Sequence, residues 1–168
     1  EKCSIKNSNL YFQRIYFVLA DHQTELFLPK LLKVIPSLKF CKKMSGCSKY
    51  KAYDLKISTI LEKFGKYAHG KLIPQFVHKA PKHLITEFLN GYVSADGSKR
   101  IVSKNESVRL TTVSDNLALS VQKLYAKLGF MGSLSYSHRE NKTQLFPNGK
   151  TYKCRNAYSF EVYLNGKR

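Results

Sequence analysis

Four cysteines, five histidines and a large surplus of lysine and arginine are the side chains through which this 168-residue sequence could do chemistry. Cys3, Cys41, Cys47 and Cys154 offer no pair at zinc-ribbon spacing, since five residues separate the middle two, and they read as free or partly buried thiols. His22, His69, His78, His83 and His138 are scattered singly, which supports neither a zinc site nor a Cys/His nucleophile. No glycine-rich phosphate loop joins a strand to a helix. The remaining chemistry is that of charge: 29 Lys and Arg stand against 11 Asp and Glu, a formal net charge of +18.

A polyanion is the partner that this charge selects. The surplus is not a tail, because residues 1–80 hold 15 basic and 5 acidic side chains and residues 81–168 hold 14 and 6. Both halves therefore meet the anion. A solvated basic surface without a specific ligand is the plainer alternative, but 12% aromatic and 43% hydrophobic residues mark a folded basic protein rather than a disordered arm. The longest apolar run, residues 15–20, is too short to span a bilayer, and the N-terminus lacks a signal-peptide succession, so an intracellular setting in the cytoplasm, nucleoid or organelle matrix is expected.

The elements that would position these charges follow from periodicity. Residues 9–20 read as a strand, and Asp21 as the cap of a helix that carries Leu26, Phe27, Leu31, Leu32 and Ile35 at helical spacing up to Pro36. Residues 37–41 and 49–57 read as a hairpin around Met44-Ser45-Gly46, and Ser58 as the cap of a short helix over 59–64. A second helix is expected over 81–95, with Leu84, Ile85, Phe88, Leu89, Tyr92 and Val93 on an apolar stripe that ends at Asp96-Gly97. Strands over 99–113, a helix capped by Ser114 and stopped by Gly129, and strands at 132–139 and 158–164 complete the chain. The last two flank a basic loop with a Pro147-Asn148-Gly149-Lys150 turn. The order suggests two copies of an α+β unit, 1–80 and 81–168, of which the first lacks its opening helix.

The most specific local string is Leu89-Asn90-Gly91-Tyr92-Val93-Ser94-Ala95-Asp96-Gly97. It resembles the LAGLIDADG motif of homing endonucleases, matching it at Leu89, Gly91, Ala95, Asp96 and Gly97. Around it, Phe64-Gly65, Lys71-Leu72-Ile73-Pro74 and Phe88-Leu89-Asn90-Gly91-Tyr92 resemble the intein-type endonuclease sequence that leads into its second motif. Thr112-Val113-Ser114, Leu117-Ala118, Val121-Gln122 and residues 124–129 resemble the segment that follows it. The likeness spans residues 58–129.

The resemblance implies an α+β fold of two pseudo-symmetric αββαββα-type subdomains whose antiparallel sheets bind a long double-stranded DNA site. It implies that Gly91 and Ala95 let two motif helices pack closely, and that Asp96, with Gly97, holds a divalent cation such as Mg2+ for phosphodiester hydrolysis. Lys71 corresponds to the basic residue near the cleavage centre. Groove-facing positions are expected among Lys39, Lys42, Lys49, Lys51, Lys99, Arg100, Lys104, Arg109, Arg139, Lys142, Gln144, Lys153 and Arg155, mostly on phosphates, with Arg and Gln as better readers of base edges. Two cuts need two motif helices and one is visible, so the first is expected from an upstream segment or another chain. The self-splicing blocks of an intein are absent from this sequence. The alternative function is a non-cutting relative that binds DNA or intron RNA as a regulator or maturase.

Overall fold

The computed structural model describes residues 2–4, 11–102, 105–139, 142–145 and 149–164. They divide into two compact units, residues 1–62 and 63–168. The division falls earlier than the 80/81 boundary expected from sequence, because Ile73 and Val77 are buried in the second core and Phe64 packs against it.

The first unit contains β1 (Lys2–Ser4), β2 (Tyr11–Ala20), α1 (Asp21–Val34), β3 (Lys39–Met44), β4 (Cys47–Tyr53) and α2 (Leu55–Glu62). Its strands form one antiparallel sheet in the order β1-β2-β4-β3. Alternation along β4 is strict: Ser48, Tyr50 and Ala52 are buried, and Lys49, Lys51 and Tyr53 point to the opposite face. The buried face meets Ile35 and Leu38 in a small core, with Phe17, Leu19, Leu28, Leu31 and Ile57 packed around it. Two caps differ from expectation. Asp21 is already helical, with Ala20 before it, and its carboxylate pairs with Lys43. Helix α2 starts at Leu55 because the Asp54 carboxylate accepts the Ile57 N–H at 2.9 Å, while Ser58 is buried within the helix and donates to the Leu55 carbonyl.

The second unit contains α3 (Gln75–His78), α4 (Lys82–Asp96), β5 (Gly97–Val102), β6 (Asn105–Thr112), α5 (Asp115–Lys127), β7 (Gly132–Ser137), β8 (Thr143–Leu145), β9 (Thr151–Lys153) and β10 (Ala157–Tyr163). The main sheet runs β5-β6-β10-β7, and β8 and β9 pair separately, so the basic loop expected between the last two strands carries its own small hairpin. Ile85, Leu89 and Val93 of α4 and Leu117, Val121 and Leu124 of α5 bury against Val108, Leu110, Phe160 and Val162 on one face of the sheet. Ser114 caps α5 as expected, its hydroxyl accepting the Leu117 N–H at 3.2 Å.

Numbered from its own first strand, each sheet has the order first, second, fourth, third. A helix follows the second strand of each, and α4 precedes the second set alone among the described residues. The repeat inferred from the weak alternation is therefore present in the topology. No helix among the described residues is long and apolar enough to cross a membrane.

Candidate nucleic-acid interface

Each sheet has one face covered by helices, and register decides which charges stand on the other. In the first unit, Arg14, Tyr16 and Val18 of β2 pair with Tyr53, Lys51 and Lys49, all on the face away from the core. The third strand adds a complication that residue spacing does not reveal. Simple alternation from Lys39 would place Cys41 and Lys43 beside it, but the register shifts between Phe40 and Lys42, so Lys39 lies opposite Lys51 and Lys42 opposite Lys49. The irregularity turns Lys43 to the helix side, where it reaches Asp21 and Ser48.

The outer face thus collects Arg14, Lys39, Lys42, Lys49 and Lys51. Two lysine pairs stand directly across neighbouring strands, an arrangement that disfavours the free protein and that an anion would relieve. Tyrosines hold part of this array in place. The Lys49 ammonium lies 3.7 Å from the Tyr16 ring centroid, and the Arg14 guanidinium lies 5.4 Å from that of Tyr53 while donating to the Tyr16 hydroxyl at 3.1 Å. These hydroxyls raise the already high pKa of Arg14, keeping it charged. All four lysines expected here are brought together. Arg14, Tyr16 and Tyr53 were missed, although Arg14, Tyr16 and Val18 alternating with Ile15, Phe17 and Leu19 is a legible signal.

In the second sheet the expected cations separate. Arg100 and Arg109 face outward with Ser98, Thr111, Ser133, Ser135 and Ser159. Lys99 does not: it pairs with Val108 on the helix side, borders a 380 Å³ cavity with Leu89, Val93 and Tyr125, and reaches Glu106 at 3.4 Å. Adjacent residues of a strand must part, and the buried Val108 fixes which goes inward. Lys104 lies outside the described residues. Lys142, Gln144 and Lys153 are exposed on or beside the β8–β9 hairpin, whose base is closed where the Cys154 N–H donates to the Lys142 carbonyl. Arg139 follows β7, its N–H donating to the Asn156 side chain, and Arg155 Nη1 lies 2.9 Å from His69 Nε2.

The helix-end acid is set by a tight junction. α4 passes directly into β5 at Gly97, where an added Cβ would come within 2.8 Å of the Val93 backbone and 3.0 Å of Leu110. Asp96 is exposed there and has no hydrogen bond or ion pair among the described residues. It sits at the negative end of the helix dipole, and the last turn holds no basic residue. In so basic a chain this concentrates negative charge where a cation would be attracted. Tyr92, one turn earlier, has its hydroxyl pushed up to about 12 by burial and then by the charge of Asp96, so it stays protonated.

Lys71 belongs to the same end of the sheet. Gly97 pairs with Leu110, the strand continues through Thr112, and the Ser114 hydroxyl donates to the Lys71 carbonyl at 2.6 Å. The loop before Lys71 is closed by Leu72 N–H donating to the Phe64 carbonyl. Gly65 is obligatory in it, with φ of +83° and a hypothetical Cβ 1.8 Å from the Gly70 oxygen.

The motif stripe is open within its unit. Leu84 and Ala95 are exposed, and a Cβ at Gly91 would meet nothing within 4 Å. Among the described residues no three His, Cys, Asp or Glu side chains converge on a metal-sized site. Asp96 is a hard oxygen donor of the kind Mg2+ takes, and phosphate oxygens with a further carboxylate would have to complete its shell.

A sheet with one helix-covered and one polar face, fed by a helix ending in Ala95-Asp96-Gly97, defines a class of protein. Residues 83–165 match the profile of the LAGLIDADG-like domain. The chain's fold is that of the LAGLIDADG homing endonucleases. A variant of I-DmoI in complex with its target DNA in the presence of Mg superposes over 96% of this chain and 79% of its own, with a TM-score of 0.56 and 13% identity. I-DmoI in complex with DNA and Mn gives 0.55 over 96% and 80%, also at 13% identity. By sequence, the chain is 36% identical over 73 residues to a DNA polymerase of Thermococcus hydrothermalis and 35% over 102 residues to one of Thermococcus kodakarensis. These stretches cover 44% and 58% of this chain but 4% and 6% of the polymerases.

Proposed function

We propose that this chain is the DNA-binding body of an intein-type LAGLIDADG homing endonuclease, and that Asp96 supplies one carboxylate of its divalent-metal centre. The observation that carries the reading is the lysine array on the outer face of β2, β4 and β3. Its two cross-strand lysine pairs oppose folding and favour a phosphate backbone. Arg100 and Arg109 give the second sheet a matching but sparser positive face. The DNA-bound I-DmoI structures support duplex DNA as the ligand. The matches to small fractions of two DNA polymerases support an origin as an element inserted in such a host.

At the cleavage end, Asp96 and the backbone of Gly97 would hold one side of the cation. A bound divalent cation neutralises charge developing on phosphorus and acidifies a water. Of the chain's own groups, the Tyr92 hydroxyl stays protonated in the field of the Asp96 carboxylate, and Lys71 lends positive charge to the phosphate. Hydrolysis requires a second acid from another motif helix, brought by an upstream segment or a second chain and laid on the open stripe of Leu84, Gly91 and Ala95.

The test is Mn2+ binding to the complex of this chain with duplex DNA, read by electron paramagnetic resonance, for the unaltered chain and Asp96→Asn. Asp96→Asn should leave DNA affinity within about twofold and weaken Mn2+ at least tenfold. Equal Mn2+ affinity would remove Asp96 from the metal centre.

A further inference from the structure

The outer faces of the two sheets are chemically unlike. The first is lysine-rich, whereas the second is floored by small hydroxyl side chains and holds Glu161, the single carboxylate on an outer strand face among the described residues of either sheet. A carboxylate opposes phosphate, so in a chain of charge +18 its place on this face needs another partner.

Register puts Ser98, Arg109, Glu161 and Ser133 in one row across β5, β6, β10 and β7, with Arg109 directly opposite Glu161. No ion pair joins them among the described residues. Arg109 Nε instead donates to Ser159 Oγ at 2.9 Å. Ser159 is itself anchored: it is 6% exposed, its carbonyl accepts from the Ser135 hydroxyl at 3.2 Å, and Thr111 Oγ1 lies 3.5 Å from its Oγ. The guanidinium is thus held by one edge, leaving its terminal nitrogens and the neighbouring carboxylate to a ligand. The low serines around them leave room for a base edge to come down to the sheet.

We propose that Arg109 and Glu161 together read one G·C base pair, Arg109 donating to guanine O6 and N7 and Glu161 accepting from cytosine N4. Both groups lie on the major-groove edge of a single pair, and directly opposed residues on antiparallel strands have the close spacing this needs. Ser159 is a positioning residue that fixes the arginine. The assignment rests on the duplex-DNA reading above.

The experiment is enrichment of duplexes from a randomised library by the full chain at physiological salt, with Arg109→Lys, Glu161→Gln and Ser159→Ala in parallel and thermal melts to establish folding. The unaltered chain should enrich a G·C pair at a fixed position. Arg109→Lys and Glu161→Gln should each lower discrimination there about tenfold while leaving other positions intact, and Ser159→Ala should lower it partially. Glu161→Gln should also raise affinity for unselected duplex several-fold, which a merely structural role would not do. Retention of the same preference by folded Glu161→Gln, or equal loss at every position, overturns this assignment alone. Failure of the unaltered chain to bind duplex DNA overturns it together with the reading on which it rests.

Discussion

Replacing Lys42 and Lys51 by Gln should make the free protein more stable and its DNA complex weaker. Each substitution removes one member of a like-charged pair, Lys42 opposite Lys49 and Lys39 opposite Lys51, and leaves Lys49 on the Tyr16 ring. Like charges directly opposed on antiparallel strands cost about 0.2–1 kcal/mol per pair, so the double variant should gain about 1 kcal/mol at low salt. For a chain of this size that raises Tm by about 2–4 °C. If each lysine neutralises one phosphate, the slope of log affinity against log salt becomes shallower by about 1.8. Between 50 and 200 mM salt the unaltered protein then loses about twelvefold more affinity than the variant. Calorimetry and fluorescence anisotropy on one duplex measure both quantities. An unchanged salt slope with a lowered Tm would refute the reasoning, because these lysines would then serve the fold and not the ligand.

Two further outcomes follow from the motif helix. Gly91→Ala should stabilise the isolated chain by about 0.5–1 kcal/mol in thermal or urea unfolding, since a mid-helix glycine is costly and an added methyl meets nothing within 4 Å. A loss of stability would mean that the stripe is already packed. Phenol absorbance on alkaline titration should show Tyr92 and Tyr125 ionising late, because burial pushes both up to about 12. In the unfolded chain they ionise near 10, so stability from these groups is full below about pH 10 and declines as pH rises towards 12. Asp96→Asn should bring the Tyr92 transition down and leave that of Tyr125 unmoved.

Periodicity carried much of the fold: the apolar stripe of α4, the Ser114 cap and the Gly129 stop all lie where residue types demand them. The site was legible in part. Composition directs attention to lysine and arginine but not to a face, and a face depends on register. The irregularity at Cys41 exchanges the sides of Lys42 and Lys43, and no propensity announces it. Lys99 and Arg100 are equivalent as sequence and opposite in the sheet, because burial of Val108 on the partner strand decides between them. Glu161 escaped notice because a charge search in a basic chain looks for cations, whereas its meaning lies in standing opposite Arg109. The unit boundary moved for a similar reason, since Ile73 and Val77 precede the motif helix in sequence yet complete its core.

Lysine reactivity footprinting tests the central claim most directly: the chain is acetylated with and without duplex DNA at low salt, and each site is quantified by peptide mass spectrometry. The account predicts strong protection of Lys39, Lys42, Lys49 and Lys51, and unchanged reactivity of Lys30 and Lys33 on α1 and Lys123 on α5. Protection of the helix lysines instead, or uniform protection of both sets, would contradict it.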